Sequence, residues 1–549
     1  MISIQFSNVS LVLGARTIFA NLAWEIHSDH KIGLIGPNGA GKSSLLKLIT
    51  GEYTPEPGGG VIRARKEGRP VSIGYLPQHP EFDPTATAYC LALQGNPRMA
   101  DLENELAAVE ASLADPAIYN HEKRLTRAIE RQQELLEEYQ RNGGEQYPQR
   151  VRDLLTGLGL PESDLDKPVG VLSGGQKKLI GLARLLLSEP DVLLLDEPDN
   201  HLDLAGKLYL ERLIQRYPGS VVIVSHDRYL LDAVVTHIAE LEDGRISVFT
   251  GDYSAYMLDK QTRLARQETL FQIQQRQIAR IEAAIKRYAI WAKVYDNEKF
   301  AKRAQSIQKR LDKMDRLDKP VLERRRMGLQ LNGWRGSTRV LELQDVHKSY
   351  GPRCVLDGVD LLLEHGERVG IIGRNGTGKS VLFRLVMEME TPDQGEIIVG
   401  PSIKTAYYAQ EHDTLDMDQT VLEAVRYAGS MNESNAVSFL GRYLFTYRQA
   451  SQKIRELSGG ERSRLQLALI VLSGANFLLL DEPTNNLDIA SAEVLEMALA
   501  EFEGTVLIIS HDRYFLDQVV DRLLVLEDGR VTSHLGGYSD YLNEIRVSA

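Results

Sequence analysis

The chain of 549 residues is too long for one core, since compact domains rarely exceed about 250 residues, so two or three domains are expected. Hydrophobic residues at 43% and charged residues at 26% describe a globular protein, neither disordered nor fibrous. Cys90 and Cys354, in no CxxC pattern, exclude a disulfide framework and a cysteine-rich zinc site, and fit a reducing, cytoplasmic setting.

The opening MISIQFSNVSLVLGA alternates like a strand and does not read as a signal peptide. No run of about 18 apolar residues follows, so no membrane-spanning helix is expected. The first motif is a phosphate-binding loop, GPNGAGKS, from Gly36 through Pro37, Asn38, Gly39, Ala40, Gly41 and Lys42 to Ser43. The apolar strand IGLI precedes it and the apolar helix SLLKLI follows, the context this pattern requires. Its glycines let backbone N–H groups turn toward phosphates. Lys42 neutralises the outer phosphates, Ser43 binds Mg²⁺, and Ser44 offers one more hydroxyl. Gln78 in GYLPQ is placed to reach the metal and a water. Residues 90–165 carry charged amphipathic stretches, DLENELAAVEASL and LTRAIERQQELLEEY, read as a helical hairpin. Ser173, Gly174 and Gly175 in LSGGQ form an anion site at a helix start. VLLLDE is a buried strand ending in two carboxylates. Asp196 at the strand's end is assigned to Mg²⁺. Glu197 points elsewhere by strand alternation and is the candidate base for the attacking water. His226, after the strand VVIVS, is placed to contact the terminal phosphate.

The net charge of −12 hides a segregation. Residues 259–326 hold 19 Lys+Arg against 9 Asp+Glu, or +10, which leaves −22 for the remainder. Leu264, Phe271, Ile278 and Ile285 recur every seven residues, with Ile281 and Tyr288 between them. Phe300, Ala304, Ile307, Leu311 and Met314 continue the seam, and Pro320 ends it. Two helices broken at YDNEK are predicted as an antiparallel coiled-coil hairpin, reaching roughly 50 Å for about 35 residues. Trp291, Lys293, Tyr295, Lys299, Lys302 and Arg303 surround its turn. This cationic and aromatic set suits a nucleic acid, whereas a solvated structural helix is the plainer alternative.

The second half repeats the first. GRNGTGKS runs from Gly373 through Arg374, Asn375, Gly376, Thr377, Gly378 and Lys379 to Ser380, with Val381 where the first copy has Ser44. Gln410, Ser458, Gly459, Gly460, Asp481, Glu482 and His511 follow in the same order and take the same assignments. The offset between copies is 337 at the lysines, 332 at the glutamines, and 285 from Ser173/Ser458 onward. The first copy therefore carries 5 extra residues before Gln78 and 47 more before LSGG, inside 90–165.

With all these motifs in order in both halves, the sequence resembles the ABC-type ATPases. The twin halves, the charged linker, DEPDNHLDL and DEPTNNLDI, SHDRYFLD and GDYSAY/GGYSDY are similar to the ABC-F subfamily in particular. The resemblance implies an α/β fold with two tandem P-loop ATPase domains, 1–254 and 337–549, joined by an α-helical hairpin linker, 255–336. It implies Mg²⁺-dependent ATP hydrolysis by two ATP molecules sandwiched head to tail. Ser173 and Gly175 would then face the ATP of Lys379, and Ser458 and Gly460 that of Lys42. It further implies binding to the ribosome near the tRNA exit site, with the linker touching tRNA and rRNA. A monomer that closes on itself, with no obligate subunit, no membrane contact and no DNA-binding tail after Tyr541, is expected. Two departures stand out. Tyr350, the adenine-stacking position, aligns with Leu13, so site one lacks stacking there or takes it from elsewhere. Asp199 replaces the Thr of DEPT. Other readings are a transporter's detached ATPase subunit and an ATP-clamped nucleic-acid scaffold.

Overall fold

The computed structural model describes residues 2–548 apart from 15, 64, 67–68, 79, 114–121, 142–143, 145, 201, 295–297, 313–326, 332, 410–413 and 486. Met1–Asp252 and Met327–Ala549 form one unit and Tyr253–Arg326 a second.

The first unit contains the same architecture twice. In each half the hydrophobic strand runs pair as a six-stranded sheet, parallel except for its last edge strand. The order in the first half is Ile73–Leu76, Val192–Asp196, Ser220–Val224, Lys31–Ile35, His237–Glu242, Arg245–Thr250. The second half follows the identical order: Thr405–Tyr408, Phe477–Asp481, Thr505–Ile509, Arg368–Ile372, Arg522–Glu527, Arg530–Leu535. A separate antiparallel sheet of three strands accompanies each: Arg16–His27, Ile2–Leu13 and Gly60–Arg63, then Arg353–Glu364, Arg339–Tyr350 and Gln394–Val399.

The central strands are unbroken apolar runs because both sheet faces are covered. Their period-two alternation divides the side chains between two cores. Phe477 and Leu479 pack with Leu382 and Phe383 of the phosphate-loop helix and with the antiparallel sheet. Leu478 and Leu480 pack on the opposite face with Leu465, Ala468 and Phe515. In the first half, Leu45, Leu46, Leu48 and Ile49 of helix Lys42–Thr50 join Phe6, Leu11 and Phe19 to Leu194 and Val222. This packing holds each phosphate loop at the C-terminal edge of its parallel strands.

Within 90–165, helices Pro97–Leu113 and Glu122–Arg141 pack on one another as expected. Arg98 pairs with Glu138 at 2.5 Å and Arg131 with Glu105 at 2.6 Å. Among the described residues, no helix is long and apolar enough to cross a membrane.

The second unit contains helix Tyr253–Val294, of 42 residues, packed against helix Glu298–Asp312. The first helix is longer than the sequence suggested, about 63 Å at about 1.5 Å per residue. Ile278 and Leu311 are buried, with Phe271, Ile281, Ile285 and Ile307 half-buried, so the seam follows the heptad positions. Lys299, Lys302 and Arg303 are exposed on the second helix, and Lys299 lies inside it rather than in the break. Trp291 and Lys293 lie in the first helix, and Tyr295, Met314 and Pro320 fall outside the described residues.

Candidate active sites

Each phosphate loop ends on a glycine in the left-handed region, Gly41 at φ 101° and Gly378 at φ 105°, which caps the following helix. A Cβ at either would lie 2.5 Å from Ile18 Cγ2 or 2.3 Å from Val355 Cγ1, so neither conformation nor space admits a side chain. The buried lysines span their own loops. Lys42 Nζ donates to the Gly36 and Pro37 carbonyls at 2.8 and 3.3 Å, and Lys379 Nζ to those of Gly373 and Arg374 at 2.7 and 2.9 Å.

Of the residues assigned to Mg²⁺ from the sequence, Ser43 lies against Asp196 and Ser380 against Asp481. Ser43 and Tyr75 hydrogen-bond to Asp196, and Ser380 and Tyr407 to Asp481. Burial raises both aspartates, against the opposing pull of these bonds and of the loop lysines. Asp196 Oδ2 and Glu482 Oε1 are buried with no hydrogen-bond partner among the described residues. Unpartnered buried carboxylate oxygens beside a hydroxyl and a lysine fit a magnesium-bound triphosphate. Ser43, Asp196, Ser380 and Asp481 would hold the ion, which supplies charge neutralisation on the phosphate oxygens.

Glu197 and Glu482 do not take their direction from strand alternation, as the sequence suggested. The strands end at Asp196 and Asp481, and Glu197 and Glu482 leave them in the left-handed region, at φ 52° and 49°. That conformation costs a non-glycine residue about 1–3 kcal/mol and is held here by two strand-edge bonds. Glu197 N–H donates to the Val224 carbonyl and Glu482 N–H to that of Ile509, both at 2.8 Å. The turn, not strand alternation, aims the carboxylates.

Their surroundings differ between halves. Glu197 Oε2 accepts from Gln78 Nε2 and Asn200 Nδ2, each at 2.8 Å, so Gln78 reaches the glutamate. Gln410 lies outside the described residues. Glu482 Oε2 accepts from the His511 backbone N–H at 3.3 Å. Burial and then Asp481 push Glu482 up to about 7, while burial raises Glu197 against Lys178. His226 Nε2 lies 3.9 Å from Glu197 and His511 Nε2 3.6 Å from Glu482. Burial, then the nearby loop lysine, brings His226 down to about 3 and His511 well below its ordinary range. Both imidazoles are therefore neutral, suited to a hydrogen bond rather than to carrying charge.

Ser173 and Ser458 are N-caps of helices Gly174–Ser188 and Gly459–Ser473, each completed by a capping box with Gln176 or Glu461. Gly174, Gly175, Gly459 and Gly460 are thus first-turn residues whose N–H groups face outward from a helix start. Tyr350 is exposed at the end of its strand, with its hydroxyl bonded to Glu390, and Leu13 is half-buried.

The halves cross at residues the sequence reading did not single out. Asp203 caps helix Leu204–Arg216 through Gly206 N–H and accepts from Asn375 N–H of the other half's loop at 3.2 Å. Asp488 caps helix Ile489–Ala500 and accepts from Asn38 N–H at 3.1 Å. Arg228 pairs with Glu496 at 3.2 Å and lies over the Tyr514 ring at 4.2 Å. Reciprocally, Arg513 pairs with Glu211 at 2.5 Å and lies over Tyr229 at 5.3 Å. All four charged side chains are largely buried. Their recurrence at the 285-residue offset was the available signal, and only the tertiary contact gives it meaning.

A glycine-lined loop, a buried strand-ending carboxylate and a buried glutamate beside it form an arrangement suited to directing water onto a terminal phosphorus. The bond to the bridging oxygen then breaks, leaving ADP and phosphate.

A family model described as ABC transporter matches residues 19–200 and 356–485, and a companion model of the same description matches 239–330. The Energy-dependent translational throttle protein EttA of Escherichia coli (strain K12) is 35% identical over 96% of this chain and 92% of its own. ABC transporter F family member 5 of Arabidopsis thaliana is 33% identical over 98% of this chain and 77% of its own. Among solved structures, archaeal ribosome recycling factor aABCE1, in complex with stalk protein aP1, superposes with a TM-score of 0.56 at 21% identity. That match covers 98% of this chain and 92% of the other and shows a shared fold. With both ATP sites built from the motifs and the relatives matched over nearly the whole chain, the protein belongs to the ABC-F subfamily of ABC-type ATPases, and its reaction is the hydrolysis of ATP.

Proposed function

We propose that the protein is a cytoplasmic, ribosome-associated translation factor that works as a monomer. Two ATP molecules, each with Mg²⁺, are held between the halves, and the segment 259–326 acts on tRNA and rRNA near the tRNA exit site. The observation that carries this reading is the charge segregation: +10 on the helical segment against −22 elsewhere. An acidic body repels RNA, so a polyanion is met by the one basic element. Lys299, Lys302 and Arg303, exposed on helix Glu298–Asp312, supply part of that charge. A relative of nearly equal length named a translational throttle supports the same class of partner.

The test uses the Glu197→Gln/Glu482→Gln variant, which keeps ATP bound. Ribosome co-sedimentation is measured at several salt concentrations, with and without Lys293→Gln, Lys299→Gln, Lys302→Gln and Arg303→Gln. Each lost phosphate contact flattens the log–log salt slope by roughly 0.7–0.9. An unaltered slope would mean that the linker is a spacer between two ATPase halves.

A further inference from the structure

From Ser173 and Ser458 onward the internal repeat pairs residues of the two halves at an offset of 285, and the residue types part at a buried lysine. Lys207 corresponds to Ala492, and Asp199 to Thr484. Lys207 is buried, and its Nζ donates to Asp227 Oδ2 and, across the boundary between halves, to the carbonyl of His511, both at 2.9 Å. The N–H of that same His511 donates to Glu482 Oε2 at 3.3 Å. One residue of the second site thus connects the first half's lysine to the carboxylate read as the base. Asp199 is buried with Oδ1 unpartnered, and Lys207 is the strongest influence opposing the burial that raises it. Asp199, the Asp in place of Thr in DEPT, therefore lies within the electrostatic reach of Lys207, whose ion-pair partner is Asp227.

The first site is arranged differently. There Lys178 Nζ donates to the Glu197 carbonyl at 2.5 Å from within the same half, and its counterpart is Ser463. Both lysines come from the first half, so the Glu197 backbone is held by a lysine of its own half and the His511 backbone by a lysine from across the boundary.

We propose that Lys207 is a positioning residue for the second ATP site, fixing from across the boundary the His511 backbone that holds Glu482. The proposal rests on the reading of Glu482 as the base. A buried ammonium with two strong acceptors fixes a backbone segment firmly, and displacement of a catalytic group by about 1 Å can cost about 100-fold in rate.

The test reads each site separately in the intact chain. Parallel samples are loaded with [α-³²P]- or [γ-³²P]-8-azido-ATP, crosslinked at intervals, and the halves separated by proteolysis in the basic segment. The α label reports occupancy and loss of the γ label reports hydrolysis. Lys207→Met is expected to slow γ loss from the second half about tenfold or more, with α occupancy retained and the first half little affected. Equal slowing in both halves, or lost occupancy, would show a merely structural role and overturn the proposal, as would no slowing. Asp199→Thr/Lys207→Ala removes opposite charges together and gives both halves the same residues. It guards against misfolding from a buried Asp199 left without the nearby cation, and a parent rate in its second half also overturns the proposal. A Glu482→Gln arm tells the base reading apart: parent γ loss there refutes the base alone.

A different pair of positions answers the missing ring at Leu13. We infer that Tyr53 stacks on the adenine of the first site. Tyr53 is the counterpart of Glu390, as the backbone shows: Tyr53 N–H donates to the Lys47 carbonyl at 3.2 Å and Glu390 N–H to that of Arg384 at 3.3 Å. Glu390 holds the Tyr350 hydroxyl, so the residue at that position reaches the stacking ring's location. In the first half Leu13 and Tyr53 pack on the same core cluster, and Lys47 Nζ lies 5.5 Å from the Tyr53 ring. The same distance separates Lys348 from Tyr350 in the second half. A ring has moved from strand end to helix end without leaving the site. In the same labelling assay, Tyr53→Ala is expected to weaken occupancy of the first half about tenfold, the scale of one base–aromatic stack, with Tyr53→Phe restoring it. Unchanged affinity in Tyr53→Ala, or loss in both halves, overturns the assignment.

Discussion

Asp488 accepts a hydrogen bond at 3.1 Å from the backbone N–H of Asn38, although the two residues belong to different halves of the chain. The same carboxylate caps its own helix at Ser491 N–H, 2.9 Å away. The phosphate loop of one half is therefore attached to a helix start of the other, and Asp203 with Asn375 completes the exchange. Each phosphate loop's backbone is thereby tied to the opposite half.

Removing that attachment should affect the opposite site. Asp488→Asn keeps a helix cap but removes the charge that draws the Asn38 N–H, so ATP affinity at the Lys42 site should change while the Lys379 site holds its own. Asp488→Ala should cost about 1 kcal/mol more in stability, the usual loss of an N-cap. Site-resolved nucleotide crosslinking and urea unfolding measure the two effects.

Hydrolysis should depend on the two glutamates. Glu197→Gln/Glu482→Gln preserves shape and hydrogen-bonding reach and removes the base, so turnover should fall about 100-fold or more with nucleotide still bound. Phosphate release beside equilibrium binding checks this. Turnover at the parent rate would refute both assignments.

Arg513 and Glu211 form a buried pair across the boundary between the halves. Arg513→Met leaves Glu211 buried without its partner and should cost about 3–5 kcal/mol in urea unfolding. Arg513→Met/Glu211→Leu removes both charges and should recover much of that loss. Additive losses would show that the pair does not act as a unit.

His30 and His237 stack with ring centroids 3.9 Å apart, and His27 lies 5.1 Å from His30. Burial, then His237 and His27, hold His30 below 6.5 against the pull of Asp29, and burial, then His27, lowers His237. As pH falls through the unfolded value of about 6.5, the unfolded chain takes up protons first, so this cluster destabilises the fold below that pH. His30→Gln should accordingly lose less thermal stability than the parent between about pH 7 and 5.5. Parallel curves for both proteins would count against it.

The sequence by itself determined the repeat, the parallel strands and the chemistry of each half. A phosphate loop, the strand-ending Asp196 and Asp481, and the LSGG caps are local: each needs only its neighbouring strand or helix, so spacing and residue type suffice. The helical insertion and the heptad seam were legible for the same reason, since periodicity records which face of a helix is buried. The direction of Glu197 was not, because a left-handed turn replaced the strand alternation assumed for it. Nor were the meanings of Asp199, Lys207, Arg228 or Tyr53. Each depends on neighbours that packing supplies, which for Lys207 and Arg228 come from across the boundary between the halves. A buried charge is tolerated only beside its counter-charge, and which residues become neighbours is a property of packing that no single stretch of sequence contains.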